Sequence, residues 1–398
     1  MKEGYRLLGD FIQPVDERNR DLRVDYLLGV SISKQFIPSI ANIVGTDLSN
    51  YKIVRTGQFA YGPVTSRNGE KISIALLRDK DCIISSSYTV FEVVNKNELD
   101  SEYLMLWFSR PEFDRYARYM SHGSVREIFD WDELCKVELP VPSIDKQRSI
   151  VRAYQNITER IELKRRINDN LAKTIKAVFK SWFLDFDAFD GVELVQSQYG
   201  LIPNGWHYEL LGNLCDCVTK GTTPTTLGKD FTDTGINFIK GESINDDHSF
   251  NKTLFAHIDD ETDELLKRSR IYVNDIVFTI AGTLGKFALV DSSVIPANTN
   301  QAVAIIRTSK IMPAMLYSYF IGEWQVEFYK RNTQQAVQAN LSLGTIKDLP
   351  ILLPDSKGQD HYMQLVTPLI VGMQNNFSEI ERLYELQNQL LARLSSSR

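Results

Sequence analysis

The chain has 398 residues, 43% of them hydrophobic and 24% charged, with a net charge of −6 and a pI near 5.6. That length exceeds one ordinary core and suits two or three domains, and the composition excludes a largely disordered chain. Four cysteines are too sparse for a disulfide scaffold, the apolar runs are too short to span a bilayer, and the charged start "MKEGYRLLGD" lacks a leader's apolar stretch, so a cytoplasmic protein is expected.

The first predicted element is the strand or turn at "YRLLG", Tyr5–Gly9. The same formula, Tyr-x-Leu-Leu-Gly, returns as "YELLG" at Tyr208–Gly212, and the downstream segments recur in the same order. "GQFAYGPVTSRNGEKISIAL" and then "SSSYTVFEV" in the first half answer to "NDIVFTIAGTLGKFALV" and "NTNQAVAII" in the second. Each pair reads as strand, glycine-containing loop, strand and a further apolar strand. An aromatic helical stretch comes next, "EYLMLWFSRPEFDRYARYM" or "AMLYSYFIGEWQVEFYKRN". Short polar segments, "SHGSVREI" and "QQAVQANL", then lead to proline-containing apolar tags, "VELPVPS" and "LPILLPD".

Each half closes on a long predicted helix. The first carries an apolar stripe at Ile150, Tyr154, Ile157, Ile161, Leu171, Ile175, Val178 and Trp182, with Lys164 and Asn168 in its middle. The second runs Val366, Ile370, Met373, Phe377, Ile380, Tyr384, Leu391 and Leu394, broken by Gln387. Steps of three and four residues are a heptad spacing, and buried polar interruptions are register-setting positions in coiled coils. Pro368 is expected in the first turns, where a missing N–H costs least. The fold class is therefore α+β: two homologous mixed α/β domains separated by a pair of long antiparallel coiled-coil helices, with a pseudo-two-fold internal repeat. The expected boundaries are 1–142, 143–189, 190–355 and 356–398.

From Lys146 to Phe183 ten Lys or Arg face three acids, a local surplus of +7 that leaves −13 for the rest of the chain. A solvated face, a protein dock and phosphate contact all fit such a surplus. Catalytic signatures fail. "AGTLGKF" at Ala281–Phe287 has the wrong glycine spacing for a phosphate loop, and Phe287 stands where Ser or Thr is required. "CDC" at Cys215–Cys217 has the wrong spacing for a zinc pair. The acid and lysine of "IELKRR", Glu162 and Lys164, lie inside the heptad helix, where charges serve the outer faces. No metal site is expected.

The order of these pieces resembles the specificity subunits of type I restriction-modification systems, over the whole chain. The most specific part is "FKSWFLDFDAF", then "GLIPNGWHYELLGNL" and "VTKGTTP", which looks like that family's entry into a second target-recognition domain. The resemblance implies a non-catalytic subunit in which each domain reads one half of a split, asymmetric DNA sequence. It further implies that the helices separate the domains and dock two modification (methyltransferase) subunits, with restriction (translocase/nuclease) subunits completing the complex. S-adenosylmethionine, ATP and Mg would then sit on the partners only, and this chain would bind none. Two rival readings are a catalytic methyltransferase or nuclease with a recognition domain, and a two-headed scaffold that binds proteins only.

Base readout needs donor and acceptor side chains in the major groove, and phosphate contact needs Lys, Ser, Thr and backbone N–H groups. The interstrand loops supply them. The candidates in the first half are Ser33, Lys34, Tyr61, Thr65, Ser66, Arg67, Asn68, Ser87, Tyr88, His122, Ser124 and Arg126. In the second half they are Lys220, Thr222, Thr223, Lys240, Thr279, Thr283, Lys286, Asn298, Asn300, Gln301, Gln338 and Asn340. Tyr61 and Tyr88 serve equally well as core residues. A helix of 38 residues, about 57 Å long, is long enough to hold two readers the roughly 34 Å of one DNA turn apart.

Overall fold

The computed structural model describes residues 4–39, 45–66, 68–122, 127–189, 191–326 and 340–394. The chain divides into two compact units, residues 1–161 with 382–398, and residues 162–381.

In the first unit, the strand Tyr5–Leu7 pairs antiparallel with Glu138–Pro140, so the opening motif lies on the proline tag. In the second, His207–Leu210 pairs in the same sense with Pro350–Leu353. Backbone bonds repeat with them: Leu8 N donates to Val137 O at 2.8 Å, and Leu211 N to Leu349 O at 2.9 Å. The glycine of the motif has a packing cause. A Cβ on Gly9 would lie 2.9 Å from Cys135 Cβ, and one on Gly212 would lie 2.9 Å from Lys347 Cβ. Both neighbours sit on short helices, Trp131–Cys135 and Leu343–Lys347. These helices are capped alike, by Asp130 accepting from Glu133 N and Ser342 from Thr345 N.

Each unit also holds a four-stranded antiparallel sheet. The first orders Ile12–Val15, Thr89–Val93, Phe59–Tyr61 and Ile74–Leu76; the second orders Cys215–Lys220, Val303–Thr308, Ile276–Thr279 and Phe287–Leu289. The inner strands are buried over most of their length, with Glu92 and Arg307 as half-buried charged exceptions. The aromatic helices Ser101–Phe108 and Pro313–Ile321 are buried almost all round, as uniformly apolar helices must be. Phe59 stacks on Phe91 at 4.9 Å between centroids, and Phe108 meets Phe59 edge-on at 5.8 Å. Such pairs add about 0.5–1.5 kcal/mol each beyond the area they bury.

The smaller sheets differ. In the first unit Lys52–Val54 pairs antiparallel with Cys82–Ile84, and Leu28–Val30 forms a hairpin with Phe36–Pro38. In the second unit Ile236–Ile239 is the middle of three strands, antiparallel to Ala256–Ile258 and parallel to Ala297–Thr299.

The long helices are Ile144–Phe183 and Ser356–Arg393. Within the second unit they run antiparallel, and the polar residues of the stripe meet one another. Asn168, 4% exposed, accepts from Asn376 Nδ2 at 2.7 Å and donates to Met373 O at 3.3 Å. Lys164 Nζ reaches Asn376 Oδ1 at 2.9 Å and Glu379 at 2.8 Å, so "IELKRR" is a helix-pairing segment. Within the first unit Gln387 donates to Thr158 Oγ1 at 2.7 Å, while Leu391 and Leu394 share a core with Ile150 and Tyr154. Part of the basic surplus is neutralised by Lys164–Glu379, Lys176–Glu323 and Lys180–Asp185 pairs.

Pro368 is not in the first turns. The second long helix begins at Ser356, where Asp355 Oδ1 accepts from Gly358 N at 2.8 Å, and Pro368 lies exposed inside it. The helix starts well before its apolar stripe does, because Tyr362 and Met363 already pack on the second unit's core. Phe179, Trp182 and Phe183 end the first long helix in that core, with Phe183 5.6 Å from the Trp206 ring.

Candidate nucleic-acid interface

The first unit's candidate loops are tied together through groups far apart in sequence. Lys34, at the tip of the Leu28–Pro38 hairpin with φ 62°, places Nζ 2.7 Å from Asp114 Oδ1. Asp114 also accepts from Ile72 N at 3.1 Å, so one buried carboxylate joins the hairpin tip, the helix Pro111–Tyr119 and the Gly62–Ser73 loop. Burial lowers the Lys34 pKa and the Asp114 carboxylate opposes that shift. A charge so enclosed is committed to its partner, since separating a buried pair leaves an uncompensated ion. Thr65, 2% exposed, donates to Ser121 Oγ at 2.9 Å, and its N–H donates to Glu127 O at 2.9 Å. His122 and Ile128 exchange backbone bonds of 3.1 and 2.9 Å. Gly62 leaves room for Ser73 Oγ and the Tyr88 ring, which a Cβ would meet at 2.7 and 3.4 Å.

Five of the first-half candidates thus form the frame or its lining: Lys34, Tyr61, Thr65, Asn68 and Tyr88. Tyr61 is fully buried against Phe91 and Phe129, and Tyr88 packs on a satellite core. Asn68 Nδ2 donates back to Val64 O at 3.3 Å. Ser33, Ser66, Ser87 and His122 are exposed. Arg67, Ser124 and Arg126 lie outside the described residues.

The second unit gathers its loops at one end of its sheets. Gly221 N donates to Asn300 O at 3.1 Å, and a Cβ on Gly221 would stand 1.7 Å from Thr299 O, so only glycine fits. Thr223 donates to Gln301 Oε1. Thr299 Oγ1 donates to Ile239 O at 2.7 Å, Ile280 N to Ala302 O at 2.8 Å, and Leu341 N to Ile280 O at 3.0 Å. These bonds bring together the segments around Lys220, Lys240, Thr283, Asn300 and Asn340.

Thr279 is fully buried. Its hydroxyl donates to Thr283 O at 2.5 Å and accepts from Lys286 N at 2.9 Å, which closes the "AGTLG" loop. A strand succeeds this loop rather than the helix a phosphate loop requires. Asn298 is also fully buried: it accepts from Ser269 Oγ at 2.7 Å and donates to Asp263 Oδ1 and Leu266 O, both at 3.1 Å. Both side chains shape the loops and do not face outward. Lys220, Thr283, Gln301 and Asn340 are exposed, and Thr222, Thr223, Lys240, Lys286 and Asn300 half-buried. Lys240 Nζ lies 4.7 Å over the Phe231 ring, and Lys286 pairs with the exposed Asp246 at 2.9 Å. Gln338 lies outside the described residues.

Asp114, Asp246 and Lys71 are not among the candidates that the sequence pointed to. Lys71 is exposed in the same "SRNGEK" loop as Ser66, so its charge was a usable signal. Asp114 gave none, because its partner lies 80 residues away. Among the described residues no group of three or more His, Cys, Asp or Glu could hold a metal ion, and no helix is long and apolar enough to cross a membrane. The four cysteines are free, and burial pushes the Cys215 thiol up to about 12.

Residues 37–173 and 203–381 match the family described as "Type I restriction modification DNA specificity domain". The chain is 24% identical to the type I restriction enzyme MjaIX specificity subunit of Methanocaldococcus jannaschii over 76% of this chain and 70% of that one. It is 22% identical to the HindI specificity subunit of Haemophilus influenzae over 89% of each. The crystal structure of the type I restriction-modification system S subunit from M. genitalium shares the fold, with a TM-score of 0.53 at 13% identity over 99% of this chain and 96% of that one. With both halves matched, the chain belongs to the type I restriction modification DNA specificity domain family.

Proposed function

We propose that this specificity subunit reads a bipartite, asymmetric sequence in double-stranded DNA, one half with residues 1–142 and the other with residues 190–355. The observation that carries this reading is the pair of loop clusters. One repeated framework presents two sets of polar loops that share no sequence, as two different half-sites require. Apart from those that form the frame, the reading groups are the candidates that the folded loops leave at the surface or half-buried, together with the candidates that lie outside the described residues. In the first half these are Ser33, Ser66, Ser87 and His122, with Arg67, Ser124 and Arg126. In the second they are Lys220, Thr222, Thr223, Lys240, Thr283, Lys286, Asn300, Gln301 and Asn340, with Gln338.

The subunit is non-catalytic and acts in the cytoplasm. The helical segments 143–189 and 356–398 set the unread spacer and dock two methyltransferase subunits, and restriction subunits complete the assembly. Sequestered apolar side chains on those helices, such as Ile161 and Met373, form the pairing seam. Exposed ones, such as Leu163 and Val371, are available for a partner. S-adenosylmethionine, ATP and magnesium are held by the partners.

The test is a methylome of a host carrying the complex with Lys220→Ala and Gln301→Ala in the subunit. Each lost base or phosphate contact costs about 1–3 kcal/mol, so modification weakens or relaxes at one half-site while the other half and the spacer stay unchanged. Equal change at both half-sites, or none at either, refutes the assignment.

A further inference from the structure

In the first unit, a cleft of about 420 Å3 opens beside the tag strand and is walled by Tyr5, Trp107, Phe113 and Tyr116, with Arg110 among its lining residues. Arg110 is 4% exposed, and its guanidinium carbon lies 4.0 Å over the Trp107 ring. Its Nε–H is buried and has no acceptor. Its ion pair is with Glu112 at 3.6 Å, a half-exposed carboxylate that is also 3.2 Å from Arg115. A buried guanidinium with a long ion pair and an orphaned N–H is under-compensated, and such groups are rare unless an acceptor arrives.

The second unit shows what the same place holds when it is filled. Tyr208, Leu349 and Pro350 there correspond to Tyr5, Val137 and Glu138 through the matched strand pairing. Trp324 occupies the space beside them: its indole N–H donates to Pro350 O at 2.6 Å, and its ring stacks on Tyr208 with 6.4 Å between centroids. The first unit leaves this position open as the cleft and sets Arg110 in it.

We infer that the cleft is a binding site for a small aromatic acid, its carboxylate borne on the ring or one methylene away from it. The ring takes the position that Trp324 holds in the other unit, stacking on Tyr5, whose own ring meets Trp107 edge-on at 6.3 Å between centroids, and the carboxylate accepts from Arg110. The exposed acids Glu112 and Glu138 line the same cleft with the exposed Lys136, so the lining, Arg110 included, carries no net positive charge; a polyphosphate backbone is disfavoured there while a single carboxylate aimed at Arg110 is accommodated. This site does not depend on the reading of DNA by the loops.

The experiment is calorimetric titration of the full chain with indole-3-acetate and with benzoate, with benzyl alcohol and inorganic phosphate as controls. Saturable binding of the two aromatic acids is expected, weaker by about tenfold or more in Arg110→Gln, as loss of a charged hydrogen-bond partner implies. Glu112→Gln removes the competing carboxylate and is expected to tighten binding about threefold, a gain that misfolding cannot imitate. Absence of saturable binding to both the wild type and Glu112→Gln overturns the site. So does equal affinity in Arg110→Gln, or phosphate binding as well as the aromatic acids.

Discussion

Each of the two α/β units folds its Tyr-x-Leu-Leu-Gly strand onto a proline tag and seats the glycine on a short capped helix. Each then orders the same four antiparallel strands beneath an aromatic helix. Away from that frame they diverge. One adds two antiparallel pairs, the other a mixed three-stranded sheet with a parallel contact. The loops that present Ser33 and Ser66 or Gln301 are held by different means, a buried Lys34–Asp114 pair in one unit and the Asn298 and Thr279 networks in the other. What is alike is the part that joins each unit to its long helix, and what differs is the set of loops proposed above to read DNA.

Glycine replacement tests how alike the frames are. Gly221→Ala drives a Cβ into Thr299 O and is expected to loosen the second unit by about 3 kcal/mol or more, since backbone cannot yield as a side chain can. Gly9→Ala and Gly212→Ala meet side-chain carbons at the same distance and are expected to cost about 1–3 kcal/mol each, in the first and second unit respectively. Hydrogen exchange resolved by segment reads all three. Unequal effects at Gly9 and Gly212 would show that the two frames are not equivalent.

The helix seam gives the next effect. Asn168→Ala strands the buried Asn376 amide and is expected to cost about 1–3 kcal/mol, whereas Asn168→Leu with Asn376→Leu is expected to recover most of it. Chemical denaturation of the two variants decides, and a double variant as weak as the sum of its parts would remove the pair from its role in register.

The smallest effect is pH-dependent and confined to the second unit. His248 stacks on Phe287 at 4.1 Å, and burial lowers its pKa, outweighing Asp247 and Asp246, which raise it. The unfolded chain therefore takes up a proton first as pH falls below about 6.5. Stability of this unit is full above that pH and declines below it. His248→Gln is expected to flatten the decline, measured as segment-resolved exchange between pH 7.5 and 5.5, and the first unit, whose His122 is exposed, serves as the reference.

Much of this was legible in the amino-acid order. The repeat, the tag, the paired strands around glycine loops and the heptad stripe are local patterns, and local patterns are what periodicity records. Asn168 and Gln387 stood out as polar breaks in an apolar stripe, and both are buried in the seam. Pro368 lies well inside the helix because capping at Asp355 starts the helix before its apolar stripe begins.

Amino-acid order alone establishes that there are two like units, each closed by a long helix, and which loops differ between them. Which loop residues face outward is settled only in the folded chain. Lys34 and Asn298 are both polar loop residues of the kind DNA contact needs, yet Lys34 is buried on Asp114, 80 residues away, and Asn298 is satisfied by Asp263, 35 residues away. The partner of Asn168 is Asn376, 208 residues distant. Burial and pairing of a polar side chain depend on what the fold brings beside it, and no local pattern of residue types carries that information.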